Sequence, residues 1–210
     1  KLLTLLTLLT CIVGGVKATD TVVFSFDSGT TTGATVNYAG TGTLDGNNKL
    51  KFGNSDSNAT TNYVEFILSS GSFATNDKIS ITYYANKDQE DSKKVVPGLF
   101  FGKKDNDSFT NSLKLTASGN TSTTAKTEEL TVTSDGNGTN VLRLTRNSGG
   151  TGLFITKISI TRAESRTEAS LSFATNSGSA DIAEGTSFTL PTLTKNPTDA
   201  TVTYSSSNTG

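Results

Sequence analysis

The sequence predicts an all-β protein whose strands pair antiparallel into β-sandwiches. Apolar residues recur at every second position in many short runs, which is the period of a strand with one buried face. Turns such as Asp45-Gly46-Asn47 and Ser70-Gly71 separate these runs, and strands bounded by turns at short intervals are typical of sandwiches and barrels. Beyond the N-terminal segment, no stretch has the apolar period of a helix.

The strand-like runs follow one another along the chain. They cover residues 21–27, 63–69, 78–84, 113–115, 130–132, 142–144 and 153–161. In the first run, the period of two places Val22, Phe24 and Phe26 on the buried face. In the last run, the same period places Phe154 on the buried face together with Ile158.

Neighbouring residues of a strand point to opposite faces of its sheet. Tyr83 is in phase with the isoleucines before it, so we predict that Tyr83 is core and that Tyr84 faces outward. Phe100 and Phe101 are likewise expected to point to opposite faces. Glu65 alternates with the apolar residues of its strand and is predicted to face solvent.

Residues 1–18 have the features of a signal peptide. The leucine-rich apolar run of residues 2–16 is shorter than the roughly 20 residues that span a membrane. Val16 and Ala18 fit the small-residue positions of a signal-peptidase site, so we expect cleavage after Ala18. The alternative is an uncleaved anchor helix. Cleavage would remove Cys11 and leave a mature chain without a membrane span, secreted or on the extracellular cell surface.

The rest of the chain divides at a charged segment. Residues 19–162 hold the strand-like runs and are predicted to form one β-sandwich domain. Residues 163–168 are charged, have no apolar periodicity and are predicted to be a linker. Residues 169–210 start a new alternating pattern.

Three motifs follow one another in this last segment: AEGTSFTL at 183–190, PTDA at 197–200 and VTYSSSN at 202–208. In their order and spacing they resemble a bacterial Ig-like domain of group 2, which implies a second β-sandwich that acts as a spacer. A complete Ig-like sandwich has about seven strands, more than residues 169–210 supply. We therefore expect a truncated Ig-like domain, in a fragment of a natural protein that continues into downstream domains.

A second resemblance is carried by two groups of residues in the first domain. They are residues 63–66, 71–73 and 76–81, and the final strand pair at 142–146 and 154–162. With these residues the domain resembles the jelly-roll, galactose-binding-like modules of secreted Bacteroidetes proteins. The resemblance implies a jelly-roll-like β-sandwich, a bacterial source, and binding to a polysaccharide or a cell-surface glycan.

The composition excludes several classes of function. The chain has no His and one Cys, so the usual Ser-His-Asp and Cys-His catalytic groups and the usual zinc sites lack their residues. The 18 basic residues are balanced by 19 acidic ones, which leaves no surplus of positive charge for a nucleic acid. The sequence places no pair of carboxylates for glycoside hydrolysis. We therefore predict that the protein is not an enzyme.

The candidate sugar-binding residues are aromatic and arginine side chains. Aromatic rings stack on the apolar faces of sugars, and without Trp this role falls to Tyr and Phe. The predicted ligand-binding residues are Tyr38, Tyr63, Tyr84, Arg143 and Arg146, with Phe100 and Phe109 as further candidates. The alternatives are plain strand residues for the aromatics and, for the arginines, a charged sheet edge that discourages aggregation.

Oxygen-rich turns are candidates for structural calcium, which prefers carboxylate and amide oxygens. The residues are Asp45, Asn47, Asp105, Asp107 and Asp135. The alternative is that they only form turns, which Asp and Asn favour. No other cofactor is predicted.

The leading hypothesis is a non-catalytic extracellular module that binds carbohydrate, with an Ig-like spacer, at the N-terminus of a larger secreted or surface protein. The alternative is a structural segment of an adhesin stalk with no small-molecule ligand.

Overall fold

A computed structural model describes residues 12–13, 20–54, 59–105, 108–163, 170–173, 193–196 and 202–203. The chain forms two compact units, one of residues 20–163 and one of residues 1–19 with 164–210. No helix among the described residues is long and apolar enough to cross a membrane.

The described chain is built from strands, in agreement with the predicted all-β class. In chain order they are β1 (Ile12–Val13), β2 (Thr21–Asp27), β3 (Thr30–Thr32), β4 (Ala34–Ala39), β5 (Thr43–Leu44), β6 (Leu50–Phe52), β7 (Tyr63–Leu68), β8 (Lys78–Ala85), β9 (Val96–Asp105), β10 (Ser108–Thr116), β11 (Lys126–Thr131), β12 (Val141–Ser148), β13 (Leu153–Arg162), β14 (Ser170–Phe173), β15 (Leu193–Asn196) and β16 (Val202–Thr203). Two single-turn 3-10 helices lie at Asp91–Lys93 and Ser134–Gly136.

The unit of residues 20–163 consists of two antiparallel sheets. Sheet I has the strand order β10-β9-β12-β7-β4. Sheet II has the order β11-β8-β13-β2-β3, and β6 pairs with both β13 and β5. The predicted antiparallel β-sandwich is therefore confirmed.

The other unit is described only through two strand pairs. β1 pairs with β16, and β14 pairs with β15, both antiparallel. The pair β1–β16 joins Ile12 and Val13, which lie inside the predicted signal peptide, to Thr203 and Val202. Most residues of the predicted signal peptide, linker and Ig-like segment lie outside the described residues, so these assignments stay predictions.

Aromatic side chains from both sheets form the centre of the core. The ring of Phe66 in sheet I lies 4.6 Å from that of Phe24 and 6.1 Å from that of Phe26, both in sheet II, measured between centroids. These three side chains are at most 1% exposed. Tyr83 is also fully buried and Tyr84 is half-buried on the opposite face, as the alternation predicted.

Two β-bulges shift the alternation, and each makes one sequence prediction wrong. Opposite β13, the register of β2 jumps from Phe24 to Val22, so Val23 packs against the core while Val22 is 54% exposed. In β13 the register with β8 shifts after Ile155, so Phe154 faces outward although Ile158 is buried. A bulge inserts one unpaired residue, which reverses the face of every position beyond it.

The first bulge can be tested with two truncations on β2. Phe24→Ala leaves a cavity between the sheets and is expected to lower the free energy of unfolding by about 3–5 kcal/mol. Val22→Ala removes an exposed side chain and should change it by less than about 0.5 kcal/mol. Urea denaturation of both variants measures the difference, and a large effect of Val22→Ala would contradict the bulged register.

Candidate functional site

The outer face of sheet I, which points away from the core, holds a cluster of charged and aromatic side chains. In β7, Val64 and Phe66 point into the core, and strand alternation therefore turns Glu65 to the outer face. The antiparallel register sets Arg143 of β12 directly opposite Glu65, and Asn37 of β4 opposite it on the other side. Three neighbouring strands thus bring these polar side chains together.

The centre of the cluster is a buried ion pair between Glu65 and Arg143. Nε of Arg143 donates to Oε2 of Glu65 at 2.7 Å, and Nη2 lies 2.6 Å from the same oxygen. The side chains are only 1% and 5% exposed. Charge-assisted hydrogen bonds of this kind are stronger than neutral ones, particularly away from water.

The second oxygen of Glu65 has two further partners. Nδ2 of Asn37 and Nζ of Lys104 both donate to Oε1 at 3.1 Å. Burial alone would raise the pKa of Glu65, but the hydrogen bonds from Asn37, Arg143 and Lys104 outweigh it, and the pKa lies below its ordinary value. The sequence predicted the face of Glu65 correctly but was wrong to expect it in solvent, because neighbouring side chains cover it.

Two aromatic rings enclose the guanidinium of Arg143. Its Cζ lies 3.9 Å from the centroid of Tyr63 and 4.2 Å from that of Phe109. Arginine stacks well on aromatic faces because its planar cation is attracted by the ring quadrupole. Nη1 of Arg143 also donates to the carbonyl oxygen of Ala59. The guanidinium is thereby fixed from three directions. We name Asn37, Tyr63, Glu65, Lys104, Phe109 and Arg143 the Arg143 cluster.

Gly102 gives Phe109 the space that its position in the cluster requires. A Cβ at residue 102 would lie too close to the backbone carbonyl oxygen of Thr110 and 2.7 Å from Cε2 of Phe109, closer than such atoms approach one another. The missing side chain allows the Phe109 ring to lie across β9.

Of the predicted ligand-binding residues, the structure brings Tyr63 and Arg143 together and places the other three elsewhere. Arg146 is 1% exposed, and its guanidinium donates to the carbonyl oxygens of Gly149, Thr151 and Asn54, so it ties loops together. The burial of both arginines contradicts the charged sheet edge that was the alternative for them, since β12 lies between β9 and β7. Tyr38 is 46% exposed on β4, opposite core residue Val64 in the register of the sheet.

Tyr84 lies on the outer face of sheet II. Its ring is stacked on that of Phe154, with 5.1 Å between centroids and 12° between planes. Nζ of Lys49 donates to its hydroxyl at 2.9 Å. Tyr84 is therefore part of a small, separate aromatic group.

The proposed calcium ligands are spread over several loops. Oδ1 of Asp45 accepts hydrogen bonds from the backbone N–H groups of Asn47 and Lys49, both at 2.9 Å, as in a turn. Asp105 ends β9, Asp135 lies in a 3-10 helix, and Asp107 is outside the described residues. No group of three or more acidic, His or Cys side chains that could hold a metal occurs in the described part of the chain. Calcium remains a prediction.

Sequence reasoning did not include Asn37, Glu65 and Lys104 in a site. Glu65 could have been found from Tyr63, since residues two apart in a strand share a face. Asn37 and Lys104 depend on which strands are neighbours and in which register, and a single sequence does not contain this information.

Comparisons with known proteins give structural similarity only. No family model matches the sequence, and no curated protein matches it. Among solved structures, the chain is similar to a carbohydrate-binding module of family 29, with a TM-score of 0.44 and 17% identity over 69% of this chain and 90% of that chain. It is also similar to a mutant module of that family in complex with mannohexaose, with a TM-score of 0.44 and 16% identity over 69% of this chain and 93% of that one. The ligand of this chain must therefore be inferred from its own residues.

From the ion pair we predict that substitution of Glu65 lowers the free energy of unfolding by an amount that depends on pH. Glu65→Gln leaves the Arg143 guanidinium buried without its carboxylate and should cost about 3 kcal/mol at pH 7. Since the folded-state pKa of Glu65 lies below its ordinary value of 4.5, the ionised carboxylate stabilises the fold above that pH, and its contribution is lost as pH falls through the folded-state value. The difference between parent and variant should therefore shrink below pH 4.5.

Urea denaturation at a series of pH values measures this difference. The matched control is Glu129→Gln, because Glu129 is exposed on β11 and should contribute less than about 0.5 kcal/mol. A pH-independent effect of Glu65→Gln would contradict the assigned charge state.

Proposed function

We propose that residues 20–163 form a non-catalytic carbohydrate-binding module, and that the outer face of sheet I around the Arg143 cluster holds the glycan. The observation that supports this most is the arrangement on the outer face of sheet I, which takes no part in the core. There a buried ion pair has its guanidinium between two half-buried aromatic rings.

The chemistry of the cluster suits a sugar chain. Sugars present hydroxyls that both donate and accept hydrogen bonds, and C–H faces that pack on aromatic rings. Asn37 is exposed and its amide can donate and accept, while Lys104, with 27% of its side chain exposed, donates. The guanidinium of Arg143 lies on one face of each of the half-buried rings of Tyr63 and Phe109, and the part of each ring that stays exposed supplies apolar surface beside these polar groups.

The side chains of the cluster are held in place before any ligand arrives. Ordering a long, flexible side chain on binding costs about 0.5–1.5 kcal/mol. The ion pair, the two rings and the Ala59 carbonyl already fix Arg143, so this cost is largely met in the fold. A preformed polar surface therefore lowers the entropic cost of binding a glycan.

The state of Glu65 favours binding over hydrolysis. A glycosidase needs a second carboxyl group nearby and a general acid with a raised pKa. Glu65 is the one carboxylate of the Arg143 cluster, its pKa is lowered, and both of its oxygens already accept hydrogen bonds. Within the described residues, the cluster has the features of a recognition surface.

The setting of the module remains part of the proposal. The leucine-rich residues 1–18 support export to the outside of the cell, and the motifs of residues 183–208 support an Ig-like spacer that connects to downstream domains.

Binding can be measured by affinity electrophoresis of the full chain in gels that contain mannan, xylan, hydroxyethyl cellulose or polygalacturonate. We expect retardation by at least one polymer. Phe109→Ala removes a ring from the proposed site and should weaken that retardation about tenfold, equivalent to about 1.4 kcal/mol.

Tyr84→Ala is the matched control, because Tyr84 is also half-buried beside a cation but lies on sheet II. Circular dichroism melting shows whether both variants are folded. Loss of binding in Tyr84→Ala alone would indicate that the binding site lies on sheet II. Absence of retardation in a broad set of polymers would refute the carbohydrate-binding proposal.

A further inference from the structure

The outer face of sheet I has more positive than negative charge. Strand alternation and register place Arg143, Lys104 and Lys114 on this face, whereas Glu65 is its one acidic side chain among the described residues. The described part of the face therefore has three positive charges and one negative charge. The whole chain has a net charge of −1, so positive charge is concentrated on this face.

Lys114 is a further cation on this face and is not part of the ion pair between Glu65 and Arg143. It is exposed on β10, directly opposite Phe100 in the register, and its Nζ lies 5.3 Å from the centroid of the Phe100 ring. No carboxylate of the described residues forms an ion pair with it. The ring holds the ammonium group near the face without neutralising its charge.

The aromatic rings of this face have cations on them. Arg143 lies against Tyr63 and Phe109, and Lys114 lies over Phe100. A neutral sugar that stacked on the same ring faces would have to displace these cations. A negatively charged sugar would instead meet the cations in place, which improves electrostatic complementarity.

We propose that the ligand of this face is an anionic polysaccharide, with carboxylate or sulfate groups that bind Lys114 and Lys104. This inference rests on the proposed function and specifies its ligand class. Lys104 lies four residues from Phe100 along β9, which corresponds to about 13 Å at about 3.3 Å per residue. The backbone positions from which the two lysines extend are therefore separated along the strands by more than the width of one sugar ring, and this spacing suits a polymer better than a single sugar.

The test compares charged polymers with uncharged polymers of the same backbone. Binding of the full chain is measured by isothermal titration calorimetry with polygalacturonate and carboxyl-reduced polygalacturonate, and with dextran sulfate and dextran. We expect at least one charged polymer to bind at least about tenfold more tightly than its neutral partner, and its affinity to fall as salt is raised from 50 to 500 mM. The charged polymer that binds identifies carboxylate or sulfate as the group recognised.

Lys114→Gln should weaken binding to that polymer about fivefold, which is the upper range for one exposed charge pair. Lys51→Gln is the matched control, because exposed Lys51 also lies opposite an aromatic residue, Phe154, but on sheet II. Equal losses in both variants would overturn the site, since they would indicate unspecific attraction between the chain and a polyanion.

The outcomes separate the ligand class from the function. Salt-independent binding to the neutral polymers, unchanged in Lys114→Gln, would overturn the anionic ligand and leave a carbohydrate-binding module. Absence of binding to the charged and neutral polymers here, and to the polymers used in electrophoresis, would overturn both proposals.

Discussion

A buried carboxylate must have positive or hydrogen-bonding partners, and this requirement organises the outer face of sheet I. Removing an ionised group from water costs several kcal/mol unless its partners compensate for the lost hydration. Glu65 meets the requirement with an arginine, a lysine and an amide that come from three other strands. The relative positions of β4, β7, β9 and β12 are thus tied to one side chain on the face that does not form the core.

The two arginines of β12 illustrate how strand position decides what a residue does. Arg143 and Arg146 are three residues apart, an odd number, so their side chains begin on opposite faces of sheet I. Arg143 pairs with a carboxylate and packs against two aromatic rings, whereas Arg146 donates hydrogen bonds to backbone carbonyls in loops. Both guanidiniums are buried and paired, but only that of Arg143 lies in a cluster that also contains exposed side chains.

Sequence periodicity predicted β2, β7, β8 and β10 to β13 with most of their core residues, because burial of one sheet face imposes the period of two directly on the residues. Tyr83 and Tyr84 were assigned to the correct faces for this reason. The strands β3 to β6 were not among the predicted runs, although Leu50 and Phe52 of β6 are core residues. The errors at Val22 and Phe154 come from bulges, which arise from the pairing of one strand with another and leave no reliable mark on either strand alone. The roles of Asn37 and Lys104 could not be predicted for the same reason, because they follow from strand order and register.

Gly102 influences the proposed binding surface although it has no side chain. The backbone carbonyl oxygen of Thr110 and the ring of Phe109, both on β10, occupy the volume that a Cβ at residue 102 would need. Because the Thr110 carbonyl belongs to the backbone, a smaller residue at position 109 would not make room for a side chain at position 102, and glycine is required there. Variation at position 109, by contrast, would alter one wall around Arg143 while its ion pair stays intact, and this offers a route by which relatives of this chain recognise different polymers on one scaffold.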